Sequence, residues 1–253
     1  MSAPAPIVSV VLPTFNERGN IALLIDRVAE GLAGVPHEIL VMDDRSPDGT
    51  AAAAEATRQN HPQVLVVERP PPAGLTVSIA EGVERARGRY VAWMDCDLSH
   101  PPELLPTLLA ILERGDGEIA CASRYVAGGA DRRDSPAARL ASVVITRLAQ
   151  VMISRRILDY TTGYVMAPRS LVQEMGLRGF YGEYCIDLLG RAVLAGRRVV
   201  EVPYENVPRH AGESKTATNL LGFVWRGWRY LVTIVPLSWQ RLTRTPRASR
   251  DAR

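Results

Sequence analysis

The sequence predicts an α/β doubly wound domain, a mostly parallel sheet flanked by helices, with an amphipathic helical tail. Short β-branched apolar runs recur at IVSVVL (7–12), EILVMD (38–43), QVLVVE (63–68), YVAWMD (90–95) and EIACAS (118–123). Segments with apolar residues three and four apart lie between them, such as Ile21, Leu24, Ile25 and Val28, then Leu104, Leu108 and Ile111. Near-continuous apolar strands alternating with helices read as a parallel sheet covered on both faces. Charged residues cluster where the runs end, and in such sheets the ligand site gathers at the carboxyl ends of the strands.

Later elements follow in order. The stretch from Ala127 to Pro136, with its Gly, Asp and Arg residues, reads as a mobile loop. A helix is expected from about Ala137 to Ser154, a turn at Asp159 to Gly163, a helix near Tyr184 to Leu194 and a strand at Arg198 to Val202. In the loop after the second run, Asp48 and Gly49 form a turn signal, and Thr50 can cap the Ala-rich helix that follows.

Composition narrows the class. The chain of 253 residues is 47% hydrophobic and 23% charged, which excludes a disordered, collagenous or coiled-coil protein. Cys96, Cys121 and Cys185 offer neither a disulfide framework nor a CxxC pair, so a reducing compartment is expected. The run at Ile7 to Leu12 is too short for a leader, and no apolar run is long enough to span a membrane. Neither crossing nor export by that route is expected. The net charge of +3 hides an asymmetry, because residues 226–253 carry seven Arg and one Asp while the body is net acidic. Lys215 is the single lysine.

Asp95-Cys96-Asp97 is the sharpest chemical signal. Two carboxylates one residue apart, at what reads as an exposed strand exit, offer hard oxygen ligands to Mg2+ or Mn2+ and leave open positions for diphosphate oxygens. Ser99 to Glu103 then starts a helix, so capping is the competing reading, and it explains Ser99 better than Asp95. Asp43 and Asp44, at the end of the second run, are placed to accept hydrogen bonds from a ribose or base. No GxGxxG follows the first run, which disfavours a dinucleotide enzyme, and no Gly-rich, Lys-containing phosphate loop does, which disfavours a sugar nucleotidyltransferase.

The ordered series LPTFNE (12–17), DDRSPDGT (43–50), MDCDLSHPPE (94–103), SRY (123–125), DYTTGY (159–164) and VPRHAGESKT (207–216) resembles family 2 glycosyltransferases of the dolichyl or polyprenyl phosphate mannose synthase type. The resemblance implies a GT-A (Rossmann-like) fold and inverting transfer of a hexose, with GDP-mannose the commonest donor and a polyprenyl or dolichyl phosphate the acceptor. It further implies that Pro13, Phe15 and Glu17 surround the nucleotide, that Asp43 and Asp44 contact base and ribose, and that Asp95 and Asp97 hold metal and diphosphate. Arg124, Arg139, Arg209, Ser214 and Lys215 match the group that the family places around donor and acceptor phosphates. The chain departs from the family pattern at Arg69 to Thr76, where relatives often carry a basic residue and then Gly-Leu-Gly, at Ser99 in the third metal-site position, and at Val165. UDP-glucose or another donor, and a non-catalytic nucleotide-sugar or lipid-binding module, stand as alternatives.

Glu183 and Asp187 read equally as acceptor contacts or as polar-face residues, and His100 and His210 as groups supporting the motifs beside them. Residues 1–216 are expected to form the catalytic domain and 217–253 a membrane-interface tail. In that tail Leu220, Leu221, Val224, Trp228, Leu231, Val232 and Val235 share one helical face, with Arg241, Arg244, Arg247 and Arg250 beyond. The expected location is the cytoplasmic face of a membrane, with no nucleic-acid partner. A helix packed on the core is the competing reading of the tail.

Overall fold

The computed structural model describes residues 5–211 and 220–243, the side chains of 220–226 excepted. All five apolar runs are strands: β1 (Val8–Thr14), β2 (His37–Asp43), β3 (Val64–Glu68), β4 (Tyr90–Trp93) and β5 (Ile119–Ser123). Between them run α1 (Arg18–Gly31), α2 (Thr50–Ala56), α3 (Leu75–Arg85) and α4 (Leu105–Glu113). The predicted apolar stripe of α1 is buried at Ile21, Leu24, Ile25 and Val28.

The second half adds β6 (Ala130–Asp131), α5 (Pro136–Met152), β7 (Val165–Pro168), α6 (Arg169–Met175), α7 (Glu183–Leu194), β8 (Val199–Pro203), β9 (Glu205–Asn206) and α8 (Leu220–Thr243). The main sheet has the order β3-β2-β1-β4-β7-β5-β8. Its pairs are parallel except that β7 runs antiparallel between β4 and β5. Apolar side chains alternate along the buried strands, so Val10, Leu12 and Ile39 join the core under α1 and α4, while Val11, Leu40 and Met42 join the core under α3.

Two features correct the sequence reading. The segment expected to be a mobile loop contains β6, which pairs in parallel with β9 and ties residues 130–131 to 205–206. Thr50 is the first helical residue of α2 rather than its cap, and Asp48 accepts from both its N–H (3.0 Å) and its hydroxyl (2.6 Å).

Close approach fixes how α3 and α8 sit. A Cβ on Gly82 would lie 2.4 Å from Val11 Cγ1, so only glycine lets α3 settle on the sheet there, and a Cβ on Gly190 of α7 would lie 2.9 Å from Leu237 of α8. α8 packs on α7 and α5 through buried Ile234 and Leu237. Trp228, Leu231, Val232 and Val235, which the sequence groups on one face, point outward. One line of the helix docks on the core, as the competing reading expects, and another remains exposed.

Candidate active site

The carboxyl ends of β1, β2, β4 and β5 open into one cleft of about 920 Å³. Three non-glycine residues there adopt left-handed backbone: Asn16 (φ 54°) after β1, Arg45 (φ 56°) after β2 and Leu98 (φ 63°) after β4. Such conformations cost free energy and persist where the surroundings over-determine them, as at ligand sites. They turn each strand exit sharply, so that Pro13, Phe15, Glu17, Asp44, Asp95 and Asp97 all line the cleft.

The two predicted nucleotide carboxylates separate by role. Asp43 is fully buried and accepts from the Ser46 N–H (2.8 Å), the Ser46 hydroxyl (2.5 Å) and the Thr14 hydroxyl (3.2 Å). It shapes the turn and does not line the cleft, because its side chain is spent on these hydrogen bonds inside the protein. Asp44 does line it, paired with Arg69 and accepting from the Gly74 N–H at 2.8 Å. Arg69 also donates to Glu81 at 2.9 Å, so the stretch departing from the family pattern is anchored to Asp44 from both sides.

At the cleft floor Asp95 and Asp97 differ too. Asp97 is only 8% exposed, which corrects the expectation that both carboxylates are exposed. Its carboxylate accepts from the Ser99 N–H (3.0 Å) and pairs with Arg209 (3.0 Å). Burial works to raise its pKa, but Ser99 and Arg209 outweigh it and hold it below the ordinary value. Arg209 also reaches Glu17 at 3.2 Å, and the His210 N–H donates to the Asp97 carbonyl at 3.0 Å, latching residues 209–210 onto this loop.

Asp95 faces the cleft and forms no side-chain hydrogen bond or ion pair among the described residues. Asp95 is itself exposed to the cleft, but the protein packed around it and the charges of Asp97 and Glu17 work to raise its pKa. His100 is fully enclosed, and burial holds its pKa below the ordinary value, so the imidazole is neutral at physiological pH.

The basic group departs from expectation. Arg124 lines the cleft, but its guanidinium forms a two-pronged pair with buried Asp159 (2.8 and 2.7 Å) and donates to Thr161 (2.7 Å). It braces the cleft wall, and its charge is largely committed. Arg139, on α5, is not among the cleft-lining residues; the helix start at Ser135 and Ala138 is, together with Arg133, which pairs with Asp131 at 2.6 Å. One position along a helix rotates a side chain by about 100°, enough to carry Arg139 off the cleft. Ser214 and Lys215 lie outside the described residues. Arg229 of α8, stacked on Phe180 at 5.1 Å, lines the cleft and was not among the residues the sequence singled out. Glu183 accepts from the Phe180 and Tyr181 N–H groups (2.9 and 3.2 Å) at the start of α7, and Asp187 pairs with Arg191 at 2.6 Å. Both serve the local fold.

No group of three or more His, Cys, Asp or Glu side chains converges as a metal centre among the described residues. The donor set nevertheless fits a divalent ion that shares its coordination with a ligand. Asp95 presents an unpaired carboxylate to the cleft, Asp97 lies beside it, and diphosphate oxygens would supply the remaining positions.

The family model described as Glycosyl transferase family 2 matches residues 9–176. The chain belongs to that family. It is 36% identical over 213 residues to the polyprenol monophosphomannose synthase of Mycolicibacterium smegmatis, covering 81% of this chain and 79% of that protein. It is 35% identical over 211 residues to the dolichol-phosphate mannosyltransferase of Pyrococcus furiosus, covering 82% of this chain but 58% of that longer protein. A third relative, the undecaprenyl-phosphate mannosyltransferase of Micrococcus luteus, is 31% identical, with 85% of this chain and 89% of that protein covered. Among solved structures, the glucosyl-3-phosphoglycerate synthase of Mycobacterium tuberculosis in complex with Mn2+, uridine diphosphate and phosphoglyceric acid superposes with a TM-score of 0.70 at 20% identity, over 93% of this chain and 79% of that one. That likeness is one of fold, and the family 2 chain described here has the GT-A arrangement.

Proposed function

We propose that this family 2 chain is an inverting, metal-dependent mannosyltransferase that moves mannose from GDP-mannose to a polyprenyl or dolichyl phosphate. The observation that carries the reading is the cleft floor, where Asp95 and Asp97 meet a cationic rim in a chain 31–36% identical over most of its length to lipid-phosphate mannosyltransferases. Asp95 and Asp97 would hold Mg2+ or Mn2+, which when bound offsets the charge gathering on the departing diphosphate.

The residues of the chain account for the rest. The acceptor phosphate is already anionic, so the site needs cations to hold two phosphates more than it needs a strong base. Arg209 supplies a planar, permanently charged fork that can exchange its pairs with Glu17 and Asp97 for phosphate oxygens. Arg133 and Arg229 extend the cationic rim, and Ser214 and Lys215 are assigned to the same group. Asp44 meets the nucleoside between Phe15 and Gly74. In the transfer an acceptor phosphate oxygen bonds to the anomeric carbon from the face opposite the diphosphate, as the bond from that carbon to the diphosphate oxygen breaks.

The deciding experiment is a donor panel. Purified protein, short-chain polyprenyl phosphate, Mn2+ and labelled GDP-mannose, UDP-glucose or UDP-GlcNAc are combined, and label entering the organic phase is counted. Mannose is expected there. Glucose instead would move the donor assignment to the alternative, and no label from any donor would favour a binding module.

Residues 217–253 are assigned the role of docking the enzyme on the cytoplasmic face of a membrane rather than crossing it. No described helix is long and apolar enough to cross. α8 exposes Trp228 (65%), Trp239 (69%) and Leu242 (75%), and α5 continues the surface with Leu140, Val144 and Val151, the last next to Arg241 (2.8 Å to its carbonyl). Aromatic residues and Arg beside an apolar face suit the interface. Replacing Trp228 and Trp239 together by Ser is expected to lower sedimentation with anionic liposomes at least about tenfold, since inserting each ring's apolar body stabilises by roughly 1–2 kcal/mol. Unchanged sedimentation would return α8 to a purely packing role.

A further inference from the structure

We propose that His100 is a positioning residue that sets the direction of the Asp95 carboxylate by holding its backbone. The inference rests on the metal-binding reading of Asp95 and Asp97. Strand β4 ends its pairing at Trp93, so the Asp95 N–H lies beyond the sheet ladder. That N–H donates to His100 Nδ1 at 3.1 Å. A ring nitrogen that accepts carries no proton, so the proton of the neutral imidazole sits on Nε2. The left-handed turn at Leu98 (φ 63°) folds the chain back so that His100 can reach a residue five positions earlier.

The ring is itself clamped. It stacks on Tyr164 (centroids 5.4 Å apart, planes at 26°) and meets the edge of Tyr204 (5.5 Å, 70°). Tyr164 is fixed in turn by donating to the Pro101 carbonyl at 3.2 Å. Gly163 (φ 72°) passes the same ring, and a Cβ there would lie 3.7 Å from Cε1. Since Asp95 has no side-chain hydrogen bond of its own among the described residues, its carboxylate takes its direction from its backbone. The imidazole therefore transmits the position of the residues flanking β7 and β8 to the cleft floor.

The test separates acceptor from ring. His100→Phe keeps the size and the stacking but replaces Nδ1 by C–H. His100→Asn discards the ring but retains an acceptor, Oδ1, at the same branch point. Mn2+ uptake by the full chain in saturating GDP, read from the electron paramagnetic resonance of free Mn2+, is compared with the melting temperature. The Phe variant is expected to melt near wild type yet bind Mn2+ roughly ten- to a hundredfold more weakly, the cost of losing a supporting hydrogen bond at a metal site. The Asn variant is expected to melt lower and to recover most of the Mn2+ affinity. A purely structural role would move the two readouts together. Wild-type affinity in the Phe variant, or a folded Asn variant that binds no better than it, overturns the inference, and if the Asn variant does not fold the Phe variant decides alone. Wild-type protein that takes up no Mn2+ overturns the metal reading itself and the inference with it.

Discussion

Replacing Asp97 by Ala is expected to lower glycosyl transfer by at least about 10²-fold, the scale of removing one preorganised electrostatic partner from a reacting centre. The variant deletes a cleft-lining carboxylate beside Asp95 and also releases Arg209, whose guanidinium would then rest on Glu17 alone. Because Asp97 is 8% exposed and accepts from the Ser99 N–H, a modest loss of stability should accompany the loss of activity. A buried N–H left without its acceptor costs about 1–3 kcal/mol. Asp97→Asn separates the two effects, because the amide oxygen can keep the Ser99 bond while the negative charge is lost. The Asn variant is expected to melt close to wild type and still lose activity. Transfer by Asp97→Ala at the wild-type rate in the presence of EDTA would falsify the metal reading.

The second large effect is on folding. Arg124→Met should destabilise the protein by about 3–5 kcal/mol in urea unfolding, the range for stripping one partner from a buried pair. Arg124 is 3% exposed and Asp159 is fully buried. Burial acts to lower the Arg124 pKa, but Asp159 overrides it and holds the guanidinium charged. Deleting the cation leaves a carboxylate in the interior with no counter-charge of comparable geometry. The double variant Arg124→Met with Asp159→Asn should recover part of the loss, since the amide removes the unpaired buried charge while its oxygen can still accept from the residue-124 and Thr161 N–H groups, which Asp159 holds at 3.1 Å each. If Arg124→Met unfolded like wild type and only raised the KM for donor or acceptor, Arg124 would be the phosphate-holding cation that the family resemblance implies.

Much of the fold was legible because its signals are local. Five six-residue apolar runs with helical stretches between them indicate a parallel sheet, since both faces of such strands must be covered. Strand β7 was not legible. Val-Met-Ala-Pro is four residues long, contains one β-branched residue and ends in Pro, and its place between β4 and β5 depends on partners far away in sequence. The two-residue pair of β6 and β9 has no periodicity to detect at all.

At the site, the fold class itself gathers the strand exits that carry Glu17, Asp95 and Asp97, and the family resemblance added Arg209; the structure brings all four to one cleft. Sequence could not decide which way each of those side chains points. Asp43 turns inward and Asp44 outward because neighbouring residues at a strand end project to opposite sides. The pairing of Arg124 was not legible because its partner Asp159 lies 35 residues away, and only packing puts that carboxylate within 2.7 Å. In α8 the apolar residues circle most of the helix, so periodicity offers several faces. Contact with α7 and α5 selects Ile234 and Leu237 for burial and leaves Trp228 and Trp239 outside. Composition and spacing along the chain thus determined the fold class, the family motifs and the chemistry available. Tertiary contact alone decided which charges are neutralised and which remain to meet a substrate, because pairing depends on distance in space.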